Sequence, residues 1–146
     1  MRHGGEIWAR DGRWIRGVAA LEPTFVRNDR AAVALTWLAA SPDDIEVHIE
    51  GRCHPSLAVD LGEAPWLGPS ATLVFADGTT RSTREPGDNV WAPFVNGIGG
   101  AVVLSAPSAA DLEGVELHWD LVGLHDTVAL PPATLRDAAT RAVARA

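Results

Sequence analysis

Two short triplets carry residue types that do chemistry. One is Glu46-x-His48-x-Glu50 and the other is Glu116-x-His118-x-Asp120. Side chains alternate between the two faces of a β-strand, so this spacing puts all three members of each triplet on one face. If the two strands are neighbours in one sheet, His48 and His118 come within about 5 Å of each other with four carboxylates around them. Imidazole and carboxylate together suit a divalent metal such as Zn²⁺, Mn²⁺ or Fe²⁺. They also suit proton transfer on a sugar or an ester. The plainer alternative is a solvated sheet face carrying ordinary charges, and adjacency of the two strands decides between these readings.

Other candidates are thinner. Cys53 stands next to His54, the composition of a thiolate–imidazole pair. Consecutive strand residues point to opposite faces, however, so a buried structural cysteine is the expectation. His125-Asp126 is expected in a turn. The sequence contains no G-x-S-x-G, no P-loop and no G-x-G-x-x-G. Gly97-Ile98-Gly99-Gly100 is too short to cradle a phosphate and is expected to be a hinge or a bulge. Six tryptophans and no tyrosine are present. Trp37 and Trp119 fall at inward strand positions and are expected in the core. Trp66 and Trp91 lie in the proline-bearing stretches EAPWLGP and NVWAPF, which read as irregular. Loop tryptophans serve as anchors for a protein partner, as stacking platforms for sugars, or as lids over the open end of a sandwich.

These residues need elements to hold them, and the pattern is mainly β. Asp11-Gly12 predicts a tight hairpin within Glu6 to Arg16, or a terminal arm. Gly17 to Arg27 is extended and interrupted by Pro23, as an edge strand tolerates. Ala31 to Ala39 and Ile45 to Arg52 are strands joined by the turn Ser41-Pro42-Asp43-Asp44. In the second of them Ile45, Val47 and Ile49 point inward, and Glu46, His48, Glu50 and Arg52 outward. A short strand is expected over Leu57 to Leu61. Ala71 to Ala76 and Thr79 to Arg84 flank the hairpin signal Asp77-Gly78, with a turn-rich loop over Glu85 to Asn89. Ala101 to Ser105 and Val115 to Val122 come next, with Val115, Leu117, Trp119 and Leu121 inward. Pro131-Pro132 ends the extended region. Thr134 to Arg145 is the one helical stretch, with Thr134 as N-cap and Leu135, Ala138, Ala139, Ala142 and Val143 as its apolar stripe. Short strands with frequent turns and one terminal helix predict an antiparallel two-sheet β-sandwich with one short C-terminal α-helix.

The totals agree with a single domain over residues 1–146. An apolar share of 47% and a charged share of 21% fit a globular chain and not a disordered one. The net charge of -7 repels a phosphate backbone, so nucleic acid is not an expected partner. All 12 basic residues are Arg, and 24 residues are Ala, which fits a GC-rich coding sequence. A single cysteine rules out an internal disulfide and any Cys₄ zinc site. No apolar run approaches the roughly 18 residues that span a membrane, and no secretory leader pattern is present, so the cytoplasm is the expected compartment.

Four stretches resemble an uncharacterised family of small actinobacterial proteins. They are RNDRAAVALTWLAASPDDIEVHIEGR (27–52), LVFADGTTRS (73–82), PSAADLEGVELHWDLVGL (107–124) and the closing helix (134–146). The order of two long strands, an Asp-Gly hairpin, a Gly-rich loop, a Trp-bearing strand and an Ala-rich helix is the same over about half of the residues. The Gly-rich loop is shorter here, reduced to Gly97, Gly99 and Gly100. The resemblance implies a fold and no activity.

With no catalytic set in view, the sequence points to a non-catalytic protein-binding or self-assembly module, with a protein partner or a second copy as the expected occupant and no cofactor. One alternative is a metal-binding protein or metal-dependent enzyme that uses Glu46, His48, Glu50, Glu116, His118 and Asp120. The other is a carbohydrate-binding module. In both the first and the last of these readings Trp66 and Trp91 are the candidate contact residues.

Overall fold

A computed structural model of the chain describes residues 14–22, 24–56, 67–85, 88–105 and 111–144. In chain order the strands are β1 (Trp14–Ile15), β2 (Gly17–Val18), β3 (Thr24–Arg27), β4 (Ala31–Ala40), β5 (Asp44–Cys53) and β6 (Ser70–Phe75). They continue as β7 (Thr80–Ser82), β8 (Asp88–Phe94), β9 (Gly97–Ser105), β10 (Leu112–Trp119), β11 (Leu124–Ala129) and β12 (Val143–Ala144). Helix α1 (Thr134–Thr140) lies between the last two.

The fold is mainly β and antiparallel, as the alternation predicts. A long sheet has the order β2-β4-β5-β9-β8, with β3 pairing the same edge of β4 as β2. A short sheet has the order β11-β10-β6-β7. A third, two-stranded ribbon joins β1 to β12. The β4–β5 turn forms for a local reason. The Ser41 hydroxyl accepts from the amides of Asp43 and Asp44, at 3.1 and 3.2 Å, and the Ser41 amide donates to the Asp44 carbonyl.

One core fills the space between the two main sheets. Val33, Leu35, Leu38, Ile45, Val47, Ile49, Ile98 and Leu104 come from the long sheet. Leu73, Phe75, Val115, Leu117 and Trp119 come from the short one. Trp119 is fully buried, and its indole N–H donates to the Leu67 carbonyl at 2.8 Å. Gly51 makes room for that ring, since a Cβ there would sit 2.8 Å from it. Leu135 and Ala138 of α1 join the same core, and the helix packs on β2 and β4. No helix among the described residues is long and apolar enough to cross a membrane.

Several local expectations need correction. The register of β4 slips between Leu35 and Trp37, a bulge that reverses the facing of the residues after it. Leu38 and Ala40 therefore enter the core, and Trp37 turns to the outer face, half-buried, opposite His48. The NVWAPF stretch is strand β8, not a loop. It lies at the sheet edge, where Pro93 forfeits no ladder bond. Gly97 to Gly100 lie within β9 instead of forming a joint. A Cβ at Gly97 would meet the Gly51 carbonyl oxygen at 1.9 Å, so the glycine permits a close strand approach. His125 and Asp126 lie in β11, because the turn comes earlier, at a 3₁₀ segment over Asp120–Val122 closed by Gly123 at φ 67°.

The helix ends at Thr140, not Arg145. Ala133 is its N-cap, and the Thr134 hydroxyl donates back to the Pro131 carbonyl at 2.6 Å. Val143 and Ala144 leave helical geometry to pair with Ile15 and Trp14. Of the N-terminal hairpin, the part before Trp14 lies outside the described residues, as does the expected strand over Leu57 to Leu61.

Candidate functional site

The two triplets lie in different sheets. Glu46, His48 and Glu50 are on β5 of the long sheet, and Glu116 and His118 are on β10 of the short sheet. Asp120 comes after the end of β10, exposed on the 3₁₀ turn. The neighbours of β5 are β4 and β9, and those of β10 are β6 and β11. The structure therefore does not bring the six residues together. Among the described residues, no three His, Cys, Asp or Glu side chains converge as a metal site.

On the short sheet, His118 instead faces His125 across β10 and β11, with ring centroids 5.5 Å apart. His125 Nε2 lies 3.3 Å from Glu116 Oε1. The buried Ser70 hydroxyl sits 3.0 Å from His118 Nδ1. Burial pushes the His118 imidazole below its ordinary value. Asp120 pulls it back up, and His125 and Arg84 add to the downward push. Cys53 closes β5 half-buried, and burial pushes its thiol up, away from thiolate chemistry. His54 is exposed and bonded to the Ser56 hydroxyl at 2.8 Å, so it is engaged away from the thiol.

On the long sheet the outer face is built in two parts. At one end, Glu46 is only 1% exposed, although its strand position faces outward. The covering group is Arg16, from the segment between β1 and β2. Its Nε and Nη2 donate to both oxygens of Asp44, at 2.8 and 2.9 Å. Its Nη1 donates to Glu46 Oε1 at 2.9 Å. The other Glu46 oxygen accepts from His48 Nε2 at 2.7 Å. Trp37 packs against His48 with ring centroids 4.4 Å apart. The Arg16 guanidinium thus bridges two buried carboxylates, and the chain of contacts runs on to His48, which is half-buried at the edge of the open part.

The open part is floored by small residues and rimmed by apolar ones. Ala32, Ala34, Ala92, Gly99 and Ala101 form the floor. Phe25, on one side, is 55% exposed, and Val90, on the other, 47%. Glu50 and Arg52 stand in the middle on β5, paired at 2.6 Å, and the Arg52 guanidinium lies 4.9 Å from the centre of the Phe94 ring. Two shallow hollows of about 420 and 460 Å³ flank this column and share Thr36 and Glu50. Such a surface can bury apolar side chains of a partner while one acid and one base fix its register. Exposed apolar groups gathered on one face mark interaction sites on soluble proteins, whereas scattered ones mean little.

Trp91 does not contribute to this face. It alternates inward from β8, where its ring lies over Gly100 and packs against the core. Trp66 lies outside the described residues. Sequence reasoning missed Arg16 and the aromatic rim. The one signal for Arg16 was a lone arginine in an otherwise apolar extended run, Ile15 to Val18. No protein-family model, no curated protein and no solved structure matches this chain.

Proposed function

We propose that this chain is a non-catalytic protein-binding module whose working surface is the open outer face of the long sheet. The observation that carries this reading is the exposure of the apolar groups Phe25 and Val90 beside a floor of alanine and glycine. A sheet face evolved only to meet water would present polar side chains at these positions. The paired Glu50 and Arg52 supply specificity at its centre, where charge placement selects partners more than it adds affinity. Its compartment in this reading is the cytoplasm, where a lone cysteine with a raised pKa stays reduced.

The test is site-specific photo-crosslinking in cells. A benzophenone amino acid replaces Ala92 on the open face in one variant and Thr127 on the short sheet in another. Protein adducts formed from position 92 and not from position 127 support the reading. Adducts from position 127 alone, or from neither position, overturn it.

A further inference from the structure

We infer that the partner on this face is a second copy of the chain, related by a two-fold axis that passes over Gly51. This inference rests on the binding-face reading above and names its occupant.

Strand register sets which residues stand side by side on this face. Cross-strand partners share a face and a level along the strands. One outer-face row therefore runs Phe25, Ala34, Glu50, Gly99, Ala92 across β3, β4, β5, β9 and β8. The next outer-face row runs Arg27, Ala32, Arg52, Gly97, Phe94 across the same strands. Gly51 lies midway between them on β5, the middle strand of the sheet.

Two sheets stacked face to face are related by a two-fold axis lying in the plane between them. If that axis runs perpendicular to the strands over Gly51, each strand meets its own copy in reverse. The first row of one molecule then lies over the second row of the other. The match is complementary on β3, β4 and β5. Phe25 meets Arg27, a ring and a guanidinium. Ala34 meets Ala32. Glu50 meets Arg52, so the two intramolecular pairs become a square of alternating charges. Gly99 meets Gly97. An axis parallel to the strands fails the same comparison, because it sets Glu50 over Glu50 and Arg52 over Arg52. A two-fold interface must be self-complementary, with residue i meeting j and j meeting i, and these rows satisfy that requirement.

Size sets the expected strength. Five strands at about 4.8 Å spacing give a face roughly 20 Å wide. Two matched rows of that width fall short of the roughly 800 Å² per partner that a standard interface buries, so micromolar or weaker association is expected, and not nanomolar.

The experiment uses two charge reversals, E50R and R52E, measured by sedimentation across a concentration series and by native mass spectrometry. Glu50 and Arg52 are partly to well exposed, at 32% and 63% of their side chains, so both variants keep the fold. That is checked by their thermal transitions. In a homodimer of either variant two like-charge contacts replace two opposite-charge ones. The wild type dimerises, and each variant alone dimerises at least tenfold more weakly. An equal mixture of the two forms the heterodimer, because E50R meets R52E with opposite charges at both contacts. A wild type that stays monomeric at the highest attainable concentration overturns the second-copy inference. Adducts from position 92 whose mass is not twice that of the chain overturn it also, yet leave the face as a site for a different protein. A dimer unmoved by both reversals places self-association elsewhere and overturns the inference too. If adducts from position 92 are also absent, the binding-face reading fails with it.

Discussion

Replacing Arg16 with methionine removes a cation and leaves its two carboxylates in place. Asp44 and Glu46 are 1% exposed each, so neither regains water when the guanidinium goes. Three charge-assisted hydrogen bonds of 2.8 to 2.9 Å are lost together. Breaking a buried ion pair from one side costs about 3–5 kcal/mol, because the remaining charge is stranded in a poorly polarisable interior. Whole-domain stabilities are about 5–15 kcal/mol, so this one change consumes a large part of the margin. At this chain length each kcal/mol lowers the melting midpoint by about 2–4 °C, which sets the expected drop at roughly 6–20 °C. Urea unfolding followed by tryptophan fluorescence reads the loss as a shift in midpoint with an unchanged slope. A triple variant, Arg16→Met with Asp44→Asn and Glu46→Gln, recovers part of the loss, since the two carboxylate charges that Arg16 neutralised are removed with it. A single-variant loss under about 1 kcal/mol, the range of an exposed ion pair, would refute the reasoning.

Gly100→Ala places a Cβ 2.4 Å from the Val90 carbonyl oxygen and 2.5 Å from the Trp91 ring. It should destabilise by about 1–3 kcal/mol in the same urea assay, as overpacking does. His118 has a folded-state pKa below its ordinary 6.5, chiefly through burial. The unfolded chain therefore binds the proton first as pH falls. Stability contributed by this group is complete above pH 6.5 and declines as pH drops from there toward the lowered folded value. His118→Asn should flatten that part of the stability profile, and an unchanged profile would contradict the assignment. Cys53 should react with a neutral alkylating reagent at pH 8 more slowly than a small free thiol, and at the ordinary rate once urea unfolds the chain.

How much of this was legible in the sequence depends on where the deciding contact came from. Strand β5 and the Val115–Trp119 part of β10 were readable because each buries one face, so apolar and polar residues alternate, whereas the expected continuation to Val122 with Leu121 inward gives way to the 3₁₀ turn, which buries Val122 instead. The Asp77-Gly78 hairpin was readable because positive φ, 88° here at Gly78, leaves few residue choices. The bulge in β4 was not, because Trp37 suits either face equally and only its pairing with His48 selects the outer one. Strand β8 was hidden by Pro93, whose harmlessness depends on an edge position that local sequence does not specify. Glu46 looked solvated because the residue that buries it, Arg16, is 30 positions away. The paired triplets were a sound spacing argument with a missing premise, strand adjacency, and sheet assignment is a non-local property. The proposed binding face was invisible for the same reason. Phe25, Glu50, Ala92 and Phe94 belong to strands that only the register aligns.

The ribbon of β1 and β12 joins the two extremes of the described chain, and this imposes an order in time. A ribosome delivers β2 to β11 before β12 exists, so the sheets and their core can assemble while β1 still lacks its partner. The two-residue pairing of Trp14 with Ala144 and Ile15 with Val143 is then the last to zip and the first to open. Since Arg16 directly follows Ile15, the segment carrying that guanidinium is clamped from both sides only after translation has passed Ala144. Amide exchange should register this as fast exchange at the ribbon beside slow exchange in β5, within one folded molecule.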